Sequence, residues 1–284
     1  MKVDRIDDIY FFLKSYQLSG IDIVCRNSPN NFYSVSKNLT AKDITDHRDR
    51  LNNIGAIKNS EENLYATNLA FKSAEDIAAT SNSLEILREK VLNSSFCQLK
   101  KYAMNTVFGC GVEKNPDVMI IGEAPGADED KQGLPFVGVS GQLLDKIFLT
   151  IGISRDKNAY ISNILKWRPP GNRTPTPEEC FICMPIIKRQ IEFVNPKIIV
   201  LAGGVATKAL LNNSDGITKV RGNIFDYDCC GRTIKTIPIF HPSYLLRNPI
   251  SKKLAYIDIL TVKELLQSQL NYGSKDDHVG SDPS

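Results

Sequence analysis

Short β-branched runs alternate with longer segments of helical periodicity between residues 117 and 270. In the segment between the first two runs, apolar residues recur at the spacing of one buried helix face: Leu143, Leu144, Ile147, Phe148 and Ile151. Strands that alternate with helices are typical of an α/β fold with a largely parallel sheet. The predicted strands cover residues 118–121, 159–165, 197–201, 223–227 and 234–240.

Local signals predict where the helices begin and end. Ser140 can cap the helix after the first strand. Residues 176–179 (TPEE) form a capping box with proline at the first helical position, and Pro185 is expected to kink the helix that follows. Residues 203–211 predict a helix that opens on two glycines, and residues 251–270 predict a last amphipathic helix.

The first ninety residues have a different texture. Residues 4–18 show helical spacing of apolar positions, and residues 74–92 predict a second helix. Between them, residues 27–68 contain Asn or Ser at 13 of 42 positions, which indicates a flexible linker. The predicted parts of the chain are a helical N-terminal extension with its linker over residues 1–93, the α/β domain over 94–272 and a disordered tail over 273–284.

Composition argues against two classes of protein. No apolar run approaches the ~20 residues that a membrane span needs, and the start of the chain lacks a signal-peptide pattern, so we expect a cytoplasmic protein without membrane contact. Seven irregularly spaced cysteines argue against a secreted disulfide framework. The net charge is +3, and residues 91–284 carry 23 Lys and Arg against 19 Asp and Glu, so a polyanion would bind there.

Polar clusters follow three of the predicted strands, where open α/β sheets bind ligands. The first, residues 122–126 (GEAPG), lets backbone N–H groups approach a ligand, and its Glu123 could orient water, although alone it also fits a generic nucleotide-binding turn. The second covers residues 163–173. The third begins at His241, one of three histidines, and continues with a proline, a hydroxyl residue, two leucines and an arginine, which suit a rigid turn, a phosphate contact and an apolar wedge.

Five motifs in order resemble the motif series of the family 4 uracil-DNA glycosylases: GEAPG at residues 122–126, GLPFVG at 133–138, ISN at 161–163, RPPGNR at 168–173 and HPSYLLR at 241–247. The resemblance covers about residues 97–266. It implies a three-layer α/β/α sandwich with a mostly parallel central sheet. It also implies hydrolysis of the N-glycosidic bond of uracil in DNA without lyase activity, with uracil-containing DNA as the partner of a monomeric enzyme.

The resemblance assigns roles that agree with the chemistry of this reaction, in which the sugar becomes positive and the leaving base negative. Glu123 would position or activate water, and His241 would donate a hydrogen bond to uracil O2. Phe136 would stack on the base, and Asn163 would present a donor and an acceptor to its O4/N3 edge. The backbone N–H groups expected to complete the pocket belong to Gly122 and Ala124.

Structural roles remain open for three of these residues. Phe136 could be a core residue, Asn163 could cap a turn, and Glu123 could pair with Arg168.

DNA contacts are a further expectation. The wedge that fills the space of the extruded base is expected to be Leu245 or Leu246, and the phosphate contacts are expected from Lys219, Arg221, Ser243 and Arg247.

The sequence departs from the family at the iron–sulfur cluster. Of the family's four cysteine positions, two carry Ser94 and Trp167 and two keep thiols, Cys97 and Cys183. Because a cubane cluster needs four ligands, we predict no cofactor and expect Trp167 to pack in its place. Cys180 has ligand-like spacing from Cys183 and is an alternative third ligand, but Cys110 lies in a predicted turn, so no fourth ligand is obvious.

Two other functions remain open. A family X-like protein would bind uracil-DNA tightly and attach to it through a histidine in a basic insertion, but residues 168–177 (RPPGNRTPTP) are short and contain no histidine. A catalytically silent nucleic-acid-binding module is the second alternative. The presence of both Glu123 and His241 argues against it.

Overall fold

A computed structural model of the chain describes the backbone of residues 63–273 and the side chains of residues 63–268. Its sheet contains six strands: β1 (Cys110–Gly111), β2 (Val118–Gly122), β3 (Ala159–Asn163), β4 (Ile198–Ala202), β5 (Phe225–Cys229) and β6 (Arg232–Ile239). The spatial order is β1-β3-β2-β4-β6-β5. The four central strands are parallel, and both edge strands are antiparallel to their neighbours. The five predicted strands are present, and β1 is an additional two-residue edge strand.

The helices cover both faces of this sheet. In chain order they are α1 (residues 63–79), α2 (Leu84–Asn93), α3 (Ala127–Gln132), α4 (Val139–Leu149), α5 (Pro177–Val194), α6 (Gly204–Leu211), α7 (Ile217–Val220), α8 (Pro242–Arg247) and α9 (Lys252–Gly273). Short 3-10 turns lie at Gln98–Lys101, Pro170–Asn172 and Pro249–Ser251.

Alternate residues of the central strands divide the core into two layers. Met119 and Ile121 of β2 join a buried cluster with α2, α5 and α6. Val118 and Ile120 point to the other face and join a cluster with α4 and α9. Because successive side chains of a strand point to opposite faces, one sheet can support helices on both sides. The predicted three-layer α/β/α fold class is confirmed.

The helix signals read from the sequence have two outcomes. The capping box at α5 is present: Thr176 Oγ1 accepts from the Glu179 N–H at 3.2 Å, and Glu179 Oε2 accepts from the Thr176 N–H at 2.9 Å. Helix α5 continues through Pro185. The predicted cap of α4 is wrong, because the N-cap is Gly138 and Ser140 lies inside the first turn.

The N-terminal side of the described region also differs from the prediction. Residues 63–68, predicted as linker, are helical, and the single helix predicted over residues 74–92 is two helices separated by residues 80–83. Ser83 starts α2 by accepting a hydrogen bond from the Ile86 N–H at 3.2 Å. The predicted helix over residues 4–18, the linker before residue 63 and the tail after residue 273 lie outside the described residues. The domain boundary at residue 93 stays a prediction.

Within residues 63–273, no helix combines the length and the apolar character that a membrane crossing would require.

Candidate active site

Three of the proposed site residues lie at the carboxyl ends of parallel strands. Gly122 ends β2, Asn163 ends β3, and His241 follows β6 by two positions. Strand β2 pairs with β3 on one side and with β4 on the other, and β4 pairs with β6. The sheet therefore brings the three residues to one edge, where ligands bind in this class of fold.

Gly122 lies directly beneath two of the other site residues. A Cβ atom at this position would lie 2.4 Å from Asn163 Oδ1 and 2.5 Å from Phe136 Cζ. No side chain fits there, so the amide of Asn163 and the ring of Phe136 lie side by side over the end of β2. Phe136 is buried and joins the same apolar cluster as α4, so its ring contributes to the core as well as to the site.

Asn163 has an unpaired amide oxygen in a buried position. Its side chain is almost fully buried, and Oδ1 accepts no hydrogen bond from any residue that the structure describes. A turn cap would use this oxygen as an acceptor, so the capping role is not observed. Leaving such a group unpaired costs about 1–3 kcal/mol. A ligand that donates to Asn163 Oδ1 would remove this penalty.

His241 is oriented by its own turn. It is the N-cap of α8, and Nδ1 accepts from the Ser243 N–H at 3.2 Å and lies 2.8 Å from Ser243 Oγ. A Cβ on Gly203 would lie 3.0 Å from His241 Cβ, so the imidazole packs closely on that glycine. The rings of His241 and Phe136 have centroids 5.7 Å apart. Since Nδ1 accepts a backbone N–H, the proton of the neutral ring is on Nε2.

The electrostatic environment keeps this imidazole neutral. Burial, as the largest cause, and the positive charge of Arg247 together lower the pKa of His241 to about 4, while Glu129 opposes the shift. A neutral ring with its proton on Nε2 is a hydrogen-bond donor whose protonation does not change near neutral pH.

Glu123 follows Gly122 and is half-buried, and its burial raises the pKa of its carboxyl group. The pairing with Arg168 that the sequence left open is not present. Arg168 Nε donates instead to Asn172 Oδ1 at 2.6 Å, and no Lys or Arg among the described residues forms a salt bridge with Glu123. Ala124 lies in the same turn, half-buried, and the pocket role of its N–H stays a prediction.

A buried lysine beneath Asn163 was missed by the sequence reasoning. Lys166 is fully buried, and its Nζ donates to the Asn163 carbonyl, to Ser162 Oγ and to Gln190 Oε1, each at 2.7 Å. Its ammonium group therefore supports the backbone that carries the Asn163 amide. The only signal in the sequence was its place between the ISN and RPPGNR motifs.

The two leucines considered as a DNA wedge have different environments. Leu245 is 1% exposed and packs against Phe240 and Ala255, whereas Leu246 is 40% exposed. A buried side chain cannot enter a DNA duplex without disrupting its own core. The structure therefore favours Leu246 for this contact, and the wedge role of either leucine stays a prediction.

The predicted phosphate contacts also separate into two kinds. Arg221 Nε donates to Asp258 Oδ2 at 2.8 Å, its Nη2 pairs with Asp258 Oδ1 and donates to the Leu254 carbonyl at 2.6 Å, and only 14% of its side chain is exposed. The guanidinium belongs to a buried ion pair, which disfavours a phosphate contact, and the DNA role of Arg221 stays a prediction. Lys219 is 73% exposed beside Asp215, and Arg247 is exposed next to the His241 turn.

The four iron–sulfur positions do not fit a cluster. The thiols of Cys97 and Cys183 are neighbours in the core. Ser94 Oγ donates to the Val91 carbonyl at 2.8 Å, so its hydroxyl faces its own helix. Among the residues with described side chains, no group of three or more His, Cys, Asp or Glu side chains could hold a metal ion.

Trp167 occupies the remaining ligand position. It is 1% exposed, its Nε1–H donates to Thr106 Oγ1 at 2.9 Å, and its ring meets Phe96 edge-on at a centroid distance of 5.3 Å. Its packing leaves no open ligand position at residue 167. Of the alternative ligands, Cys110 lies 3.5 Å from Arg155 Nη1, and burial raises the pKa of the Cys180 thiol to about 12.

Comparison with known proteins agrees with this geometry. Residues 108–261 match the uracil DNA glycosylase superfamily. The chain is 38% identical over 196 residues to the type-4 uracil-DNA glycosylase of Sulfurisphaera tokodaii, covering 67% of this chain and 88% of that protein. It is 41% identical over 189 residues to the Thermotoga maritima type-4 uracil-DNA glycosylase, covering 66% and 96%. A DNA polymerase of Bacillus phage SP01 is 30% identical over 178 residues, covering 63% of this chain and 19% of that protein. The chain therefore belongs to the type-4 uracil-DNA glycosylases, within the uracil DNA glycosylase superfamily.

Proposed function

We propose that this protein hydrolyses the bond between uracil and deoxyribose in DNA and leaves an abasic site, the first step of base excision repair. The observation that carries the proposal is the buried, unpaired Oδ1 of Asn163 beside the ring of Phe136. An enzyme that acts on a base must take it out of the stack. The ring of Phe136 and the amide of Asn163, which together form the proposed uracil slot, would offer one aromatic face and one amide to the extruded base.

Asn163 gives the slot its preference for uracil. Its Oδ1 accepts from the uracil N3–H, and its Nδ2 donates to O4. Cytosine presents an unprotonated N3 and an amino group, so the same amide would face an acceptor with an acceptor and a donor with a donor. A buried site built for one pattern rejects the reverse pattern strongly, because the polar groups would be left unpaired.

His241 and Glu123 act on opposite charges of the transition state. As the bond from C1′ to N1 breaks, its electron pair stays with uracil, and the His241 Nε2–H donates to O2 of the departing anion. The carboxylate of Glu123 favours the positive sugar and orients the water whose oxygen bonds to C1′. The proton released by that water passes to the carboxylate or to the uracil anion.

The DNA backbone is held by residues around this edge. Lys219 and Arg247 expose their charges, and Ser243 lies at the start of α8, so these three residues contact phosphates in the proposal. Leu246 fills the space that the extruded base leaves. A monomer in the cytoplasm is the form that we expect from the sequence.

The enzyme works without an iron–sulfur cluster in this proposal. Two of the four ligand positions lack a thiolate: one carries Ser94, and the other is filled by the packed ring of Trp167. Iron analysis and an absorption spectrum of protein purified without oxygen test this directly. Near-stoichiometric iron with cluster absorption would contradict it.

A uracil-containing oligonucleotide separates the proposed function from its alternatives. An abasic product supports the glycosylase, an adduct that survives a denaturing gel supports the family X-like protein, and a gel shift without cleavage supports the silent module. We expect His241→Ala to lower the rate by ~100-fold or more, as for the loss of one oxyanion donor. Asn163→Ala and Glu123→Ala should also lower it, while Glu178→Ala, exposed on α5, is the matched control for Glu123→Ala.

A further inference from the structure

The backbone of Phe136 adopts an unusual conformation for an aromatic residue. Its φ is +53°, in the left-handed region that side chains other than glycine rarely adopt. Such a conformation persists only when the surrounding structure enforces it, and it is typical of functional sites. The ring of Phe136 occupies the position that a side chain on Gly122 would need, and it lies beside the ring of His241. The backbone at residue 136 therefore sets the position of one wall of the slot.

Arg155, in the loop between α4 and β3, contacts this backbone from one side. Its Nη1 donates to the Pro135 carbonyl at 3.0 Å and its Nη2 to the Phe136 carbonyl at 2.9 Å. Asp145 on α4 fixes the guanidinium by accepting from Nη2 at 2.8 Å and from Nε at 3.2 Å. The planar guanidinium of arginine presents its donors in a fixed fork, which suits two carbonyls on one side and a carboxylate on the other, whereas a lysine ammonium is a flexible point charge.

Glu129 on α3 contacts the same turn from the other side. Its carboxylate is buried, and Oε1 accepts from the N–H groups of Val137 and Gly138, both at 2.9 Å. Helix α4 closes the turn, because a Cβ on Gly141 would lie 1.9 Å from the Phe136 carbonyl oxygen. The peptide groups on both sides of residue 136 are thus held by charged side chains from two separate elements.

We propose that Arg155 and Glu129 are positioning residues that hold Phe136 in its left-handed conformation, so that its ring forms the stacking wall of the uracil slot. The inference rests on the proposed function. Arg155 acts through Phe136, so its effect on catalysis depends on the presence of that ring.

A double-mutant cycle tests this dependence. We expect Arg155→Met to lower kcat/KM for uracil release roughly tenfold or more, because small displacements of a positioning group reduce rates strongly. In a Phe136→Ala background the same change should lower kcat/KM by less than about twofold. Arg155→Lys should recover only part of the loss and keeps the cycle testable where the methionine variant folds poorly. An equal loss in both backgrounds would overturn the proposal.

Two further measurements complete the test. Lys157→Met removes an exposed positive charge from the same loop and should keep kcat/KM within about twofold of the parent. A loss as large as that of Arg155→Met would overturn the proposal. Deuterium uptake over residues 134–141 should be faster in Arg155→Met than in the parent. This measurement does not depend on enzyme activity. Unchanged uptake would overturn the proposal, whereas a parent protein that releases no uracil would overturn the proposed function and leave the uptake result standing.

Discussion

The neutral state of His241 predicts how the stability of this protein depends on pH. The pKa of its imidazole is lowered from 6.5 to about 4 by burial and by Arg247. The folded state therefore binds the proton more weakly than the unfolded state, so the free energy of unfolding falls as the pH falls from 6.5 towards 4. At pH 5 this difference in pKa between the folded and unfolded states lowers the free energy of unfolding by about 2 kcal/mol. Because part of the ring contacts solvent, we expect a decrease of roughly 1–2 kcal/mol.

Urea unfolding at pH 7 and pH 5 measures this contribution. In His241→Asn the titrating group is absent, and the asparagine side chain can still accept from the Ser243 N–H as the N-cap of α8. We expect the parent to lose roughly 1–2 kcal/mol more than the variant between the two pH values. Between pH 5 and pH 8, kcat/KM of the parent should show no inflection that belongs to His241.

Nitrogen NMR of histidine-labelled protein gives the proton position itself. The chain has three histidines, so the signals of His241 are those missing from the His241→Asn spectrum. We expect the proton on Nε2 at pH 7 and a midpoint near pH 4. A midpoint near 6.5, or a proton on Nδ1, would refute the reasoning, because the Ser243 N–H could then not fix the donor that the reaction uses.

Three further predictions concern residues whose environments the structure distinguishes. Trp167→Ala should lower the free energy of unfolding by about 3–5 kcal/mol, measured in urea, because it empties a buried site, and a change under 1 kcal/mol would contradict this packing role. Leu246→Ala should slow excision from duplex DNA several-fold more than from single strands, whereas Leu245→Ala should mainly lower the free energy of unfolding by about 2–5 kcal/mol. The opposite pattern in paired rate and unfolding assays would make Leu245 the wedge. Lys219→Met should reduce the slope of DNA affinity against salt concentration by about one phosphate contact. Arg221→Met should leave this slope unchanged and lower the free energy of unfolding by about 3–5 kcal/mol, and a reduced slope in Arg221→Met would restore its DNA role.

The ion pair between Arg221 and Asp258 could not be predicted from the sequence. Asp258 lies 37 positions away from Arg221 on α9, and no local pattern links the two. Lys219, two residues earlier, has the same charge but remains exposed. Two nearby basic residues thus differ in exposure because one of them meets a buried carboxylate in the folded chain.

The sequence by itself determined the features that depend on neighbouring residues. Short β-branched runs predicted the strands, and the TPEE segment predicted the start of α5. The motif order put Gly122, Asn163 and His241 at or just after the ends of parallel strands, which must meet at one edge of the sheet. Only the tertiary structure decided which side chains are buried or paired. The exposure of Leu246, the unpaired amide of Asn163 and the left-handed backbone at residue 136 depend on elements distant in sequence, because burial and pairing arise from contacts that form when the layers pack.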